Sequence, residues 1–384
     1  MSTASPTPKS AVSVEWLAEP LPKEVRQALD RLARTDDVVR IAVMPDAHLS
    51  SGVCIGTVMA TRRWIYPEAV GGDIGCGMAA IRFDADAARL EDERPAARLL
   101  AGLYDGVPAI RHSRRTVSER LPEQLHDATL SDPALEKLKS RDGRVEFATL
   151  GRGNHFVELQ SDDAGALWLM VHSGSRAMGQ AIREVHLRGA RKTPTGLLAL
   201  DSESEAGQAY LGDLRWACDY AQENRKAIVA AVTEVVSHVL GAEADRSSQI
   251  ACNHNHVRRE IHFGEALWVH RKGAVSAALG EPGIIPGSMG SPSFHTEGRG
   301  NAESLASSSH GAGRALSRGE AFKTIRTSDL LREMRGVWFD HRLAEKLRDE
   351  APSAYKDIGK VMRAQADLTR IVRRLRPVLC YKGA

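Results

Sequence analysis

Ser309-His310-Gly311-Ala312-Gly313-Arg314 places one histidine among residues too small to wall it off. An imidazole so exposed can act as a nucleophile, and Gly311 and Gly313 let the backbone come close to a ligand. Arg314 adds a rigid fork of donors that matches phosphate oxygens, so the stretch suits nucleotidyl chemistry. Taken alone, the same histidine fits a structural role equally well.

A second group of residues changes that balance. Asp73-Ile74-Gly75-Cys76-Gly77 sets a carboxylate and a thiol in a glycine-dense turn where both can point at one centre. His155 in Gly151-Arg152-Gly153-Asn154-His155, His172 in Val171-His172-Ser173-Gly174-Ser175, and His254 in Cys252-Asn253-His254-Asn255-His256 could complete a ligand set. Imidazole, carboxylate and thiolate together suit a first-row transition ion. These residue types favour zinc on composition and do not separate it from manganese. Each glycine-flanked histidine alone is more often structural than ligating, and the Asp73 and Cys76 spacing is only moderately specific. His48 and His256 stay open, whereas His112, His126, His186, His238, His262, His270, His295 and His341 lack such surroundings. Gly283-Ile284-Ile285-Pro286-Gly287-Ser288-Met289-Gly290 is too patterned for a linker and reads as an ordered loop able to offer N–H groups to phosphate.

Several elements must carry these groups. Val25, Ala28, Leu29 and Leu32 share one face of a helix over 21–35, and residues 38–44 read as a strand ended by Pro45-Asp46. From 51 to 83 the pattern predicts buried strands joined by glycine turns. Residues 86–145 predict helices with a mobile connection around 111–144. Phe147–Leu150 and Leu167–Val171 read as short strands, each leading into a histidine loop. A long helical pattern, with room for one break, covers 203–240, and Cys218 falls on its apolar side. Further helices are expected at 328–349 and 358–374, the second carrying Arg363, Arg370, Arg373 and Arg374 as a solvated or RNA-facing basic stripe.

The chain is long enough for a large core, with 384 residues of which 42% are hydrophobic. A net charge of +3 from 52 basic and 49 acidic residues excludes a nucleic-acid coat by composition, so any basic patch must be local. Five cysteines, an odd number, do not form a disulfide framework and read as thiols of a reducing compartment. No stretch approaches the roughly 18 apolar residues of a membrane span, and residues 1–10 lack a signal-peptide core, so the cytoplasm and no membrane contact are expected. No linker or internal repeat divides the chain.

Together these stretches resemble the RtcB family of RNA-splicing ligases, in the family's order from about Met44 to the C-terminus. The resemblance is carried by Pro45-Asp46-Ala47-His48, Ala69-Val70-Gly71-Gly72-Asp73-Ile74-Gly75-Cys76-Gly77-Met78, Gly153-Asn154-His155-Phe156-Val157-Glu158 and His172-Ser173-Gly174-Ser175-Arg176. Asn253-His254-Asn255, Arg271-Lys272-Gly273, Ile285 to Gly290, Ser309 to Arg314, Tyr355-Lys356-Asp357 and Lys382-Gly383 follow.

The resemblance implies an α+β fold, one domain with a mostly antiparallel sheet core flanked by helices over 21–384, after a flexible segment at 1–20. It implies a GTP-dependent ligase joining RNA 3′-phosphate or 2′,3′-cyclic phosphate ends to 5′-hydroxyl ends, in tRNA splicing or RNA repair. Two Mn²⁺ ions would be held by Asp73, Cys76, His155, His172 and His254, with Cys76 bridging. His310 would become guanylylated. Asn154, His155, Phe156, Val157, Glu158, His254, Asn255, Pro286, Gly287, Ser288, Met289, Ser293, His310, Gly311, Ala312, Gly313 and Lys382 would surround the nucleotide, with Tyr355 nearby. An activating protein partner is compatible with the family. The chain departs from the family at Leu49-Ser50-Ser51-Gly52, where relatives commonly have Leu-Gly-Lys-Gly, and at Arg152, where glycine is frequent. Those departures keep open an enzyme that caps 3′-phosphate ends with GMP and seals little, or a non-catalytic RNA-end-binding protein.

Overall fold

A computed structural model describes residues 11–112 and 121–383. Strand β1 (Val12–Glu15), helix α1 (Lys23–Leu32), β2 (Val38–His48), β3 (Ile55–Thr61), β4 (Gly77–Asp86) and α2 (Glu93–Gly106) build the first part. Then come β5 (Phe156–Asp162), β6 (Ala166–Ser173), α3 (Arg176–Leu187) and α4 (Glu205–Leu240). The rest holds β7 (Ala244–Asn253), β8 (Asn255–His262), β9 (Glu265–Lys272), β10 (Pro282–Ile285), β11 (Ser293–Gly298), α5 (Ile358–Ala364) and β12 (Thr369–Tyr381). Among the described residues no helix is long and apolar enough to cross a membrane.

The fold is α+β, as expected, with a curled antiparallel sheet core flanked by helices. Seven antiparallel strands lie in the order β7-β4-β6-β5-β12-β11-β10, and the two edge strands approach each other as the sheet curls. A second sheet, β1-β2-β3-β9-β8, is antiparallel except for the parallel pair of β1 with β2. Thus part of the 1–20 stretch is a paired strand, while residues 1–10 lie outside the described residues.

Period-two alternation decides what the large sheet presents on each side. Ile81, Phe83, Leu159, Leu169 and Val171 face outward onto α2 and α4, where they bury against Leu99, Leu103, Ile228, Val232 and Val236. Met78, Ala80, Trp168, Met170, Ile284 and Leu375 form a smaller core on the inner side. Phe156, Glu158 and His172 alternate with the outward residues, so the pleat aims them inward. The ladder aligns Phe156 with His172, His172 with Met78, and Met78 with Cys252. His155, Cys76 and His254 flank three of these positions in the chain, so one end of four adjacent strands gathers them.

Several expectations change, and β2 runs on through Pro45 and Asp46 to His48 rather than ending there. Residues 147–150 are not a strand, because Ala148 and Gly151 turn the backbone to φ 59° and 103°; the strand starts after His155 instead. The helix expected at 358–374 stops at Ala364, and β12 follows, paired on both sides with β11 and β5. Its β-branched Thr369, Ile371 and Val372 suit a strand, and Arg373 lies over the Trp168 ring at 4.3 Å rather than in a helical basic stripe. The helix expected at 328–349 is a short one at Thr327–Glu333 followed by 3-10 turns. Two helices, Glu123–Asp127 and Pro133–Leu138, occupy part of the segment read as mobile, and residues 113–120 lie outside the described residues. Helix α4 runs without a break.

Leu169→Ala should cost about 2–5 kcal/mol, because it empties a fully buried site between the sheet and α4. A lower urea midpoint with an unchanged transition slope is expected, whereas Leu279→Ala, at 84% exposure, should stay within about 0.5 kcal/mol of the parent.

Candidate metal and nucleotide site

The gathered strand ends and the loops beside them supply two overlapping donor groups. Cys76, His172 and His254 form one, Asp73, Cys76 and His155 the other, and within each group the ligand atoms lie within 4.8 Å of one another. Cys76 belongs to both. Its sulfur is 3.2 Å from His172 Nε2 and 3.4 Å from His155 Nε2, and His155 Nε2 is 2.9 Å from Asp73 Oδ2.

Backbone carbonyls set the histidine tautomers. His155 Nδ1 donates to Leu150 O at 3.0 Å and His172 Nδ1 donates to Asn154 O at 3.1 Å, since a carbonyl can only accept. In a neutral ring each Nε2 then turns a lone pair toward the sulfur and the carboxylate. Facing lone pairs at such distances need a proton or a cation between them. Burial, reinforced by neighbouring imidazoles, holds His172 and His254 well below their usual range, which keeps them neutral. Burial first, then Asp73, pushes the Cys76 thiol well up, so its ionisation calls for a compensating cation. Burial opposes ionisation of Asp73, but the charge and hydrogen bond of His155 outweigh it and hold Asp73 at about 2. His254 Nδ1 is buried without a hydrogen-bond partner. The donor set and its geometry therefore fit a transition-metal centre. A Cβ on Gly174 would sit 2.1 Å from Asp73 Oδ1, so no side chain fits there without displacing the carboxylate.

His310 stands beside this cluster, its ring centroid 4.8 Å from that of His254. Asp46, fully buried, takes His310 Nδ1 at 2.6 Å and the His310 backbone N–H at 3.2 Å through the same oxygen. This leaves Nε2 as the free nitrogen. Lys356 fixes the Asp46 segment by donating to Pro45 O at 3.1 Å and Ala47 O at 2.7 Å. Gly313 has φ +73°, and a Cβ there would fall 2.3 Å from Asp46 O. Asp46 and Lys356 lie in motifs quoted from the sequence, yet spacing alone assigned them no role, because more than 260 residues separate Asp46 from His310.

A cleft of about 760 Å³ joins the remaining positions. Asn154, Phe156, Glu158, His172, Pro286 to Met289, Ser293, His310 to Gly313, Tyr355 and Lys382 line it, and so does His48. Val157 is fully buried in the outer core by the strand alternation, so its side chain does not reach the cleft. Asn255 instead ties two loops, donating to Asp73 O at 3.0 Å and accepting from Gly273 N at 2.9 Å. Asp73, Cys76, His155 and His254 stand behind His172 and His310 rather than on the cleft lining.

Arg314 does not present a free fork. Its guanidinium donates to Leu316 O, Asp349 O, Glu350 and Tyr355 OH. Glu350, buried and unassigned by sequence reading, gathers Lys382 at 2.6 Å, Arg318 at 2.7 Å and the Tyr355 hydroxyl at 2.8 Å. Burial would raise it, but Lys382 and Arg318 hold it below the usual range. At the departure over Leu49 to Gly52, Lys272 Nζ donates to Ser51 O at 2.9 Å and Val53 O at 2.7 Å, so an ammonium already supports that loop from beneath. Arg152 is exposed.

A family model described as tRNA-splicing ligase RtcB matches residues 28–383. An RNA-splicing ligase RtcB1 of Escherichia coli strain ATCC 25922 is 38% identical over 392 residues, covering 95% of each chain. The RNA-splicing ligase RtcB of Escherichia coli K12 is 37% identical over the same shares. The tRNA-splicing ligase RtcB of Archaeoglobus fulgidus is 29% identical, covering 94% of this chain and 91% of its own.

In wild-type protein, long-range ¹H–¹⁵N spectra of the neutral His310 ring should show its proton on Nδ1. Asp46→Asn should yield a mixture of tautomers, and an unchanged spectrum would remove Asp46 as the group that orients the ring.

Proposed function

The chain belongs to the RtcB family of tRNA-splicing ligases, and from that premise we propose that it seals RNA through a guanylylated His310. A single arrangement carries this reading: a histidine with Asp46 on Nδ1 opens onto a nucleotide-sized cleft beside two donor groups that share Cys76.

Asp73, Cys76 and His155 would hold one Mn²⁺ and Cys76, His172 and His254 a second. Bound there, the ions would neutralise phosphate charge and polarise the phosphorus under attack. His310 Nε2 attacks the α-phosphorus of GTP; an N–P bond forms as the bond to the β-phosphate oxygen breaks, and pyrophosphate leaves. The ring gains positive charge, which the buried Asp46 carboxylate stabilises through Nδ1–H. An oxygen of the RNA 3′-phosphate then attacks the same phosphorus and frees the imidazole, leaving GMP joined to the RNA end through a pyrophosphate. The 5′-hydroxyl attacks the RNA phosphate, loses its proton, and expels GMP as the 3′,5′-diester forms. A cyclic end is first opened by water.

Within the cleft, Glu158 is suited to the guanine edge, since its carboxylate can accept from N1–H and the exocyclic amine. Gln160 donates to its other side at 2.6 Å. Phe156 and Tyr355 offer ring faces, and the loop from Gly283 to Gly290 and Lys382 offer donors to phosphate or base. Asn154, exposed at the rim, would border the nucleotide. Five free thiols favour a reducing compartment, and the cytoplasm is the proposed location.

Protein incubated with α-labelled GTP and manganese should carry label through denaturing electrophoresis, pass it to RNA bearing a 3′-phosphate, and lose it on joining to a 5′-hydroxyl strand. His310→Ala should carry none; if it still labels and ligates, the histidine mechanism is wrong. Label that stays on RNA ends would mark a capping enzyme instead.

Burial raises Glu158 to about 8, above its unfolded value, so its protonated form adds stability at low pH that is lost as pH rises through about 8. Guanine favours the ionised form, and GTP binding must therefore release that proton below pH 8. The ratio of GTP to ATP affinity, measured by calorimetry, should rise from pH 6 to 8 by up to about tenfold per unit and then level. Glu158→Gln should flatten that profile and reduce the preference for GTP.

A further inference from the structure

One buried guanidinium reaches the chain segments of three donors at once. Arg225 lies midway along α4, 2% exposed. Its Nη1 donates to Gly75 O at 2.8 Å and to Ser173 O at 2.9 Å, and Nη2 donates to Asn253 Oδ1. Gly75 precedes Cys76, Ser173 follows His172, and Asn253 precedes His254. These neighbours are the three members of one donor group. The preceding residue, Asn224, adds Nδ2 donations to Ser173 Oγ at 3.0 Å and Thr149 O at 3.2 Å. Gly75 packs directly on the same helix, where a Cβ would fall 2.8 Å from Cys218 Cα.

The contacts of Arg225 are unusual for a buried cation. Among the described residues it has no carboxylate within ion-pair distance, and all three acceptors are neutral oxygens. A buried charge without an opposite charge is costly, and a hydrophobic residue would fill the same place between helix and sheet at lower cost. Cys76 and Asp73 lie near enough to act on it electrostatically. A bound thiolate and carboxylate would give it opposing charge.

We propose that Arg225 is a positioning residue of the metal centre, one rigid fork that sets the spacing of Cys76, His172 and His254. This rests on the metal-centre reading above. The planar fork matters as much as the charge, since lysine offers a point charge and cannot span Gly75, Ser173 and Asn253 together.

The test uses full-length metal-free protein, cobalt(II) alone, and no GTP or RNA. The sulfur-to-cobalt charge-transfer band reports the bond to Cys76. Arg225→Lys should bind cobalt tenfold or more weakly, in the range seen when residues that support metal ligands are lost. Asn253→Ala, which removes one acceptor and leaves the guanidinium in place, should weaken binding severalfold and keeps the test open if Arg225→Lys does not fold. Circular dichroism melts run alongside. Cobalt midpoints within twofold of wild type in the folded variants, even with lowered melting temperatures, would make Arg225 purely structural and overturn the proposal. Absence of the band in wild type would overturn the metal-centre reading and this proposal with it. A normal wild-type band with unaltered variants removes only the strap.

Discussion

Lone pairs brought together out of water are the constraint on which this structure depends. Asp73, Cys76, His155, His172 and His254 converge at one end of four neighbouring strands, and the backbone carbonyls of Leu150 and Asn154 take the Nδ1 protons of two of the rings. A chain that folds this way accepts mutual repulsion among donors and gains a place where a cation could be held. The burial that makes the thiol hard to ionise also makes any cation bound there strongly attracted to it.

Much of the surrounding architecture serves that convergence. The outward face of the large sheet packs against α2 and α4 through aliphatic side chains and fixes the ladder rigidly. Its inward face is then free to carry polar groups such as Glu158 and His172. Register matters more than composition, since a slip of one residue would turn His172 into the aliphatic layer and Val171 into the cleft. Pairing of β12 with both β5 and β11 brings the chain's last residues beside Phe156, which is how Lys382 comes to rest on Glu350.

His310 answers to a different pressure. The buried Asp46 binds one of its ring nitrogens from the end of β2 and leaves the other free. Lys356, by holding the carbonyls on both sides of Asp46, ties the support of His310 to the turn that carries Tyr355. His310, its orienting carboxylate and the cleft wall are thus linked through the Asp46 side chain and the Lys356 ammonium.

Short-range chemistry was legible in the chain. Glycine-flanked histidines, the Asp73 and Cys76 turn, the face of α1 and the length of α4 follow from residue type and period alone. The sequence by itself determined which groups were available, because local propensity and alternation act over a few residues, and its motifs carried the resemblance that implied the α+β class. Only the tertiary structure decided that Asp46 meets His310, that Glu350 gathers Lys382 and Arg318, that Arg314 is already engaged, and that Val157 faces away from the cleft. Strand β12 shows why: its arginine-rich segment has no clear helical or strand period, and pairing with β5 and β11 settled what local preference left open. Contacts between residues hundreds of positions apart depend on sheet order and register, and no local pattern encodes those.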